Sequence, residues 1–238
     1  MNPLTPFERI ATGPLVRGLV SKLVRNGAIT YGPRRGRRVA LTFDDGPHPK
    51  WTPRVLEVLA RHEALATFFV VGSHVDENRE LAREIASQGH ELALHSYDHH
   101  RQLVCDGALF RVDLQKAMDA VTRAVDRQPR YYRYPYGTAG QDTDRVVDEL
   151  RLQRVYWSFS AADGYLPSAR QIASRVTSLV RPGAIVLMHD CLADEATTRP
   201  PYRPDRTELV KALDTILAAL KRASLTPVTL STLLDVSA

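Results

Sequence analysis

From Val39 onward, short β-type apolar runs alternate with stretches of helical periodicity, and this alternation restricts the chain to few folds. The runs read as strands are Val39–Phe43, Ala66–Val71, His90–Leu94, Tyr131–Arg133, Val155–Phe159, Ala184–Met188 and Pro227–Leu230. Helical patterns are read over Pro53–Ala60, Arg79–Gln88, Ala108–Val125, Asp144–Leu152, Ala169–Val180 and Leu209–Leu220. Gly89 follows the second of these, where a left-handed cap residue is expected. Strand–helix repeats build right-handed crossovers and a parallel sheet. About seven such units point to a closed or nearly closed α/β barrel, and 238 residues suffice for one such domain.

In parallel α/β folds, chemistry gathers at the carboxyl ends of the strands, and the reactive residues here fall at those places. Asp44 and Asp45 end the first run; His95, Ser96 and His99 follow the third; Arg133, Pro135 and Tyr136 follow the fourth; Asp163 follows the fifth; His189 and Asp190 follow the sixth. Two adjacent carboxylates at the end of a buried strand are costly unless a cation or a proton takes up the charge. His95 and His99, four residues apart, can aim both imidazoles to one side, and two His with one carboxylate suit a catalytic divalent ion. Asp45 is the candidate carboxylate, and spacing alone leaves His100 as a competitor of His99. Asp190 reads as a turn residue, while His48, His62 and His74 show no partner in the sequence.

Residues 1–38 stand apart. Arg9, Arg17, Lys22, Arg25, Arg34, Arg35, Arg37 and Arg38 occur with one acid, Glu8, ahead of them, and they carry much of the net charge of +5. Leu15, Val16, Leu19, Val20, Leu23 and Val24 recur between them at helical spacing, giving a basic amphipathic segment. Packing on the domain is one reading of it, and peripheral contact with an anionic membrane through residues 9–38 is the other. No run approaches the roughly 20 apolar residues of a membrane span. Met1–Thr30 offers neither the apolar core nor the cleavage site of a secretory signal, so the expected location is cytoplasmic, with membrane association as a variant. Cys105 and Cys191 fit no metal or redox spacing.

Thr42-Phe43-Asp44-Asp45-Gly46-Pro47, His95-Ser96-x-x-His99, Arg133-x-Pro135-Tyr136-Gly137 and Leu187-x-His189, in that order, resemble the motifs of the polysaccharide deacetylase family of carbohydrate esterases. The resemblance covers roughly Val39 to Leu230, so residues 39–238 are assigned as a single catalytic domain. It implies a distorted (β/α) barrel with fewer than eight regular strands and hydrolysis of an N-acetyl group on a sugar of an oligo- or polysaccharide. By similarity, Asp45, His95 and His99 hold one divalent metal ion, zinc first and cobalt, nickel or manganese after it. Asp44 is then the base and His189 the acid. Arg133 orients Asp44, Asp163 orients His189, and the Tyr136 backbone N–H stabilises the oxyanion. Pro135, Trp157 and Leu187 complete the substrate side.

The partner implied is an N-acetylated glycan, not nucleic acid. Between the third of these motifs and Leu187-x-His189, the run Trp157 to Tyr165 departs from the family pattern: Asp163 matches, but Ser160 and Gly164 stand where an acid and an aromatic are common, and in the third motif Tyr134 stands where proline is frequent. That departure motivates a first alternative, a carbohydrate-binding relative without turnover. The two-His, one-carboxylate set motivates a second, a non-haem iron oxygenase.

Overall fold

In a computed structural model that describes residues 27–100, 106–166, 168–193 and 204–235, β1 (Arg38–Asp44) lies at the centre of a parallel sheet. It pairs on one side with β2 (Thr67–Val70) and on the other with β7 (Ile185–His189). Beyond β2 come β3 (Glu91–Leu94), β4 (Tyr131–Tyr132) and β5 (Gln153–Arg154); beyond β7 comes β6 (Phe159–Ser160). The order β5-β4-β3-β2-β1-β7-β6 makes a curled half-barrel of seven parallel strands, with a short β8 (Thr226–Pro227) added to the start of β1. This is the distorted (β/α) barrel the motifs imply.

Side chains alternate across each strand, and the two faces have different duties. Val39, Leu41 and Phe43 of β1, Phe68 and Val70 of β2, and Val186 and Met188 of β7 point outward into the main core. There they meet α1 (Thr52–Arg61), α2 (Gly72–Glu77), α3 (Arg79–Ser87), α4 (Gly107–Val125), α5 (Gln141–Glu149), α6 (Ala169–Leu179) and α7 (Thr207–Arg222). Ala40, Phe69, Ala93, Tyr131 and Ile185 belong to a second, inner cluster. A final short helix, α8 (Leu230–Leu234), brings Leu230 and Leu233 into that inner cluster. Its first turn is tied down: the Leu230 N–H donates to Thr67 Oγ1 at 2.9 Å and the Ser231 N–H to Glu91 Oε2 at 3.1 Å. With the lower interior filled by apolar side chains, the polar inward residues collect at the other end.

Local signals explain several boundaries. Asp106 caps α4 by accepting from the Ala108 N–H at 2.7 Å, and Ser168 caps α6. Two strand expectations are corrected. Val155–Phe159 is not one strand; Val155 makes an isolated bridge to Ile29, and regular pairing resumes at Phe159. Pro227–Leu230 is not a strand either: β8 stops at Pro227 and Leu230 opens α8, because Leu230 and Leu233 share one helical face. Residues 29–32, ahead of β1, run between the two ends of the sheet. Ile29 donates its N–H to Arg154 O at 2.8 Å, and Gly32 donates to Gly183 O at 2.8 Å.

The predicted basic helix, which falls on residues 15–24, and Cys105 lie outside the described residues. No helix among the described residues is long and apolar enough to cross a membrane.

Gly183 occupies the left-handed region (φ +84°), and a Cβ there would come within 2.5 Å of Gly32 O and 2.9 Å of Pro33 O. Strain at positive φ and overpacking against backbone each cost about 1–3 kcal/mol. Gly183→Ala is therefore expected to lower stability by about 2–4 kcal/mol in a urea melt; an unchanged midpoint would refute the close packing of Gly183 on Gly32 and Pro33.

Candidate active site

The inward positions of β1 rise from Ala40 through Thr42 to Asp44, so the pleat alone delivers a carboxylate to the barrel mouth. Asp44 is in register with His189 at the end of β7, and these two side chains flank the same opening. Both are held from behind. Arg133, which follows β4 and is fully buried, donates from Nη1 to Asp44 Oδ1 at 2.5 Å and to Thr42 Oγ1 at 2.9 Å. Its Nη2 donates to Tyr156 O at 2.9 Å, and its guanidinium lies 3.8 Å from the centre of the Phe69 ring. Burial pulls the Arg133 pKa down from its usual value, and the Asp44 charge opposes that pull.

Asp45 turns away from its neighbour because its backbone is left-handed (φ +76°). Its Oδ1 lies 3.3 Å from His95 Nε2 and 3.2 Å from His99 Nε2, while its Oδ2 accepts from the Ala193 N–H at 3.1 Å. His95 Nδ1 donates to Arg133 O at 2.8 Å, which fixes the tautomer and presents Nε2 as a lone pair toward Asp45. Two acceptors facing each other in a buried pocket need a cation or a proton between them. Where a proton rather than an ion lies between them, burial pushes the Asp45 carboxyl up, yet His99 and His95 outweigh it and hold the group well below the usual carboxylate range. Asp45, His95 and His99 offer one ligand atom each, all within 4.8 Å of one another and all buried, so the donor set fits a divalent ion.

The loop between the two histidines is shaped by Ser96 and by Asp113, the second of which the sequence did not single out. Ser96 and His99 are both at positive φ, and Ser96 Oγ accepts the His99 N–H at 2.8 Å. Asp113, on α4, accepts from the Tyr97 and Asp98 N–H groups at 3.1 and 3.3 Å. Of the two histidines that spacing leaves open, His99 turns in and is buried, whereas His100 is exposed. His74 is also given a partner, donating from Nδ1 to Asp45 O at 2.8 Å. His62 meets Asp214, and His48 Nδ1 accepts the Lys50 N–H.

On the opposite side, Asp163 Oδ1 lies 3.2 Å from His189 Nδ1, and Oδ2 accepts the His189 backbone N–H at 3.1 Å. Burial lowers the His189 pKa, but Asp163, with Asp45 and Asp44 behind it, more than reverses this and pushes it up to about 9. Asp190, read as a turn residue, does stand in a bend, directly after β7. It is fully buried, receives a hydrogen bond from the Thr52 hydroxyl, and is pushed up to about 7 by burial.

Tyr136 follows Pro135 in a short 3-10 turn, at φ +58°, with its ring 4.8 Å from that of His99. Gly137 is packed so closely that a Cβ would sit 2.7 Å from Trp157 Cη2, and Trp157 itself lies beside Arg133. Leu187 is buried in register with Ser160. The Tyr134 departure lies away from the mouth: its ring packs in the main core and its hydroxyl donates to Asp144 at 2.8 Å.

With this geometry in view, the comparisons are specific. The profile of the polysaccharide deacetylase family matches residues 31–155. A chitooligosaccharide deacetylase of Bradyrhizobium sp. (strain ANU 289) is 38% identical over 194 residues, covering 81% of this chain and 89% of that protein. The peptidoglycan-N-acetylglucosamine deacetylase PgdA of Listeria monocytogenes serotype 1/2a (strain 10403S) is 36% identical over 157 residues, 66% of this chain and 33% of PgdA. The crystal structure of the Bc1960 peptidoglycan N-acetylglucosamine deacetylase superposes with a TM-score of 0.81 at 28% identity, covering 91% of this chain and 97% of that one. A chain with this half-barrel, this mouth and these relatives belongs to the polysaccharide deacetylase family.

Proposed function

We propose that this chain is a metal-dependent hydrolase that removes the acetyl group from N-acetylglucosamine-type residues of an oligo- or polysaccharide, releasing acetate. The observation that carries the reading is the separation of duties at one mouth. Asp45 joins His95 and His99 in a metal-competent cluster, Asp44 is braced by Arg133, and His189 is held by Asp163. The family match favours hydrolysis over an oxygenase, and the intact ligand set, base and acid favour it over a binding-only role.

Asp45, His95 and His99 would hold the ion, and imidazole and carboxylate ligands suit zinc. When bound, a divalent ion supplies Lewis-acid polarisation of the acetyl carbonyl and brings the pKa of water toward about 7. The remaining steps belong to the protein. Asp44 Oδ1 is committed to Arg133, so Oδ2 takes the proton from the attacking water as its oxygen adds to the acetyl carbon. The Tyr136 backbone N–H stabilises the oxyanion. As the C–N bond breaks, His189, whose Nδ1 is engaged by Asp163, gives a proton from Nε2 to the leaving amine. Acetate and the free amino sugar leave, the proton on Asp44 passes to solvent, and His189 is reprotonated. Pro135, Trp157 and Leu187 wall the site beside the acetyl group.

Three outcomes follow from these assignments. With zinc restored after chelation, the protein releases acetate from chitooligosaccharides or peptidoglycan fragments, and chelation abolishes it; metal-independent release would overturn the reading. A positioned acid or base contributes about 10²–10⁴-fold, so Asp44→Asn and His189→Ala are expected to lose turnover by that factor while still binding zinc in a calorimetric titration. Removing Arg133 strands a buried carboxylate, which costs about 3–5 kcal/mol. Arg133→Met should show that loss in a denaturant melt, and adding Asp44→Asn should recover part of it.

The pH dependence has a definite sign. His189 is protonated at neutral pH because its pKa lies near 9 rather than 6.5, so turnover should hold through pH 8 and fall as pH rises through about 9. The stabilising pair with Asp163 is likewise fully present below pH 6.5 and lost through that same window. A basic limb centred near 6.5 in the rate profile would contradict it.

A further inference from the structure

Arg206, just ahead of α7, is fully buried, and nothing in the sequence singled it out. Its Nη1 donates to Asp163 Oδ2 at 3.2 Å and its Nε to Pro204 O at 3.3 Å, while Nη2 has no hydrogen-bond partner among the described residues. A buried guanidinium with one nitrogen left over is an expensive way to fill space. Nor is it needed to anchor Asp163, which already accepts two hydrogen bonds from His189, one from the ring and one from the backbone. What Arg206 adds is positive charge on the far side of that carboxylate.

The charges around His189 explain why this matters. Asp163 touches it from the loop after β6, Asp44 stands in register with it at the end of β1, and Asp190 follows it in the chain. Against these acids, Arg206 is the cation paired directly with the one that holds the imidazole. An acid surrounded only by carboxylates grips its proton too firmly to give it up, since donation is most efficient when acid strength matches the working pH. We propose that Arg206 is a positioning residue that tunes the proton donor of this enzyme, by sharing the charge of Asp163 so that His189 can release its proton to the leaving amine. The proposal rests on the reading of His189 as the acid.

The test uses the full-length zinc-loaded chain with Arg206→Lys, Arg206→Gln and Arg206→Met. His189 is titrated by NMR of its imidazole Cε1–H group, with the signal assigned by its loss in His189→Ala. The basic limb of kcat for acetate release is measured alongside. Loss of a neighbouring opposite charge moves a titration by about 1 unit or more, so Arg206→Gln and Arg206→Met should shift the His189 midpoint and the basic limb upward by that amount. In both, kcat at neutral pH should fall about tenfold with KM unchanged, whereas Arg206→Lys should keep the midpoint within about 0.3 units. An unmoved or lowered midpoint in Arg206→Gln overturns the proposal, as does an equal shift in the Lys and Gln proteins. If Arg206→Met does not fold, the Lys and Gln pair decides; failure of all three to fold also overturns it, because the residue is then a structural anchor. If the unaltered zinc-loaded chain releases no acetate, the deacetylase reading is refuted, and a shifted NMR midpoint in Arg206→Gln then leaves standing only the tuning of His189 by Arg206.

Discussion

The buried ion pair between Arg133 and Asp44 is the contact on which the upper half of the barrel is arranged. A guanidinium without solvent is tolerated only when its donors are used, and Arg133 spends them on Asp44, Thr42, Val155 O and Tyr156 O. Those partners come from β1 and from the stretch that links β5 to β6, so one side chain ties the centre of the sheet to its ends. Its own carbonyl accepts a hydrogen bond from His95 Nδ1–H. The same residue thus orients the proposed base through its side chain and a metal ligand through its backbone.

Around that pair, the site divides charge by geometry. Asp44 and Asp45 are adjacent in sequence but point to different partners, because β1 keeps its pleat through Asp44 and turns left-handed at Asp45. Gly46 completes the turn with no room for a side chain, since a Cβ there would run into the carboxylate of Asp190. The metal-competent cluster and the acid–base pair therefore sit side by side on a backbone held from several directions.

Much of this was legible in the sequence for a physical reason. Strand–helix alternation announces a parallel sheet, and a parallel sheet sends its reactive residues to one end, so Asp44, Asp45, His95, His99, Arg133, Asp163 and His189 could be grouped before any geometry was known. What escaped depends on contacts distant in sequence. Asp113 is a helix residue until its carboxylate is seen gripping the loop between the histidines. Arg206 is one of 32 basic residues, and only its burial against Asp163 separates it from a surface charge. Leu230 carries an apolar strand signal, yet Thr67 and Glu91 offer acceptors that start a helix instead. The choice between His99 and His100 was likewise a matter of loop conformation, which spacing does not encode.

The segment that runs between the ends of the sheet has a reach that its place in the chain conceals. Ile29 O accepts the Tyr156 N–H at 2.8 Å, and Tyr156 O in turn accepts from Arg133, which holds Asp44. A residue ten positions ahead of the first apolar strand is thus three hydrogen bonds from the proposed base. A version of the protein trimmed to begin at β1 would retain every reactive side chain and lose the clasp behind them.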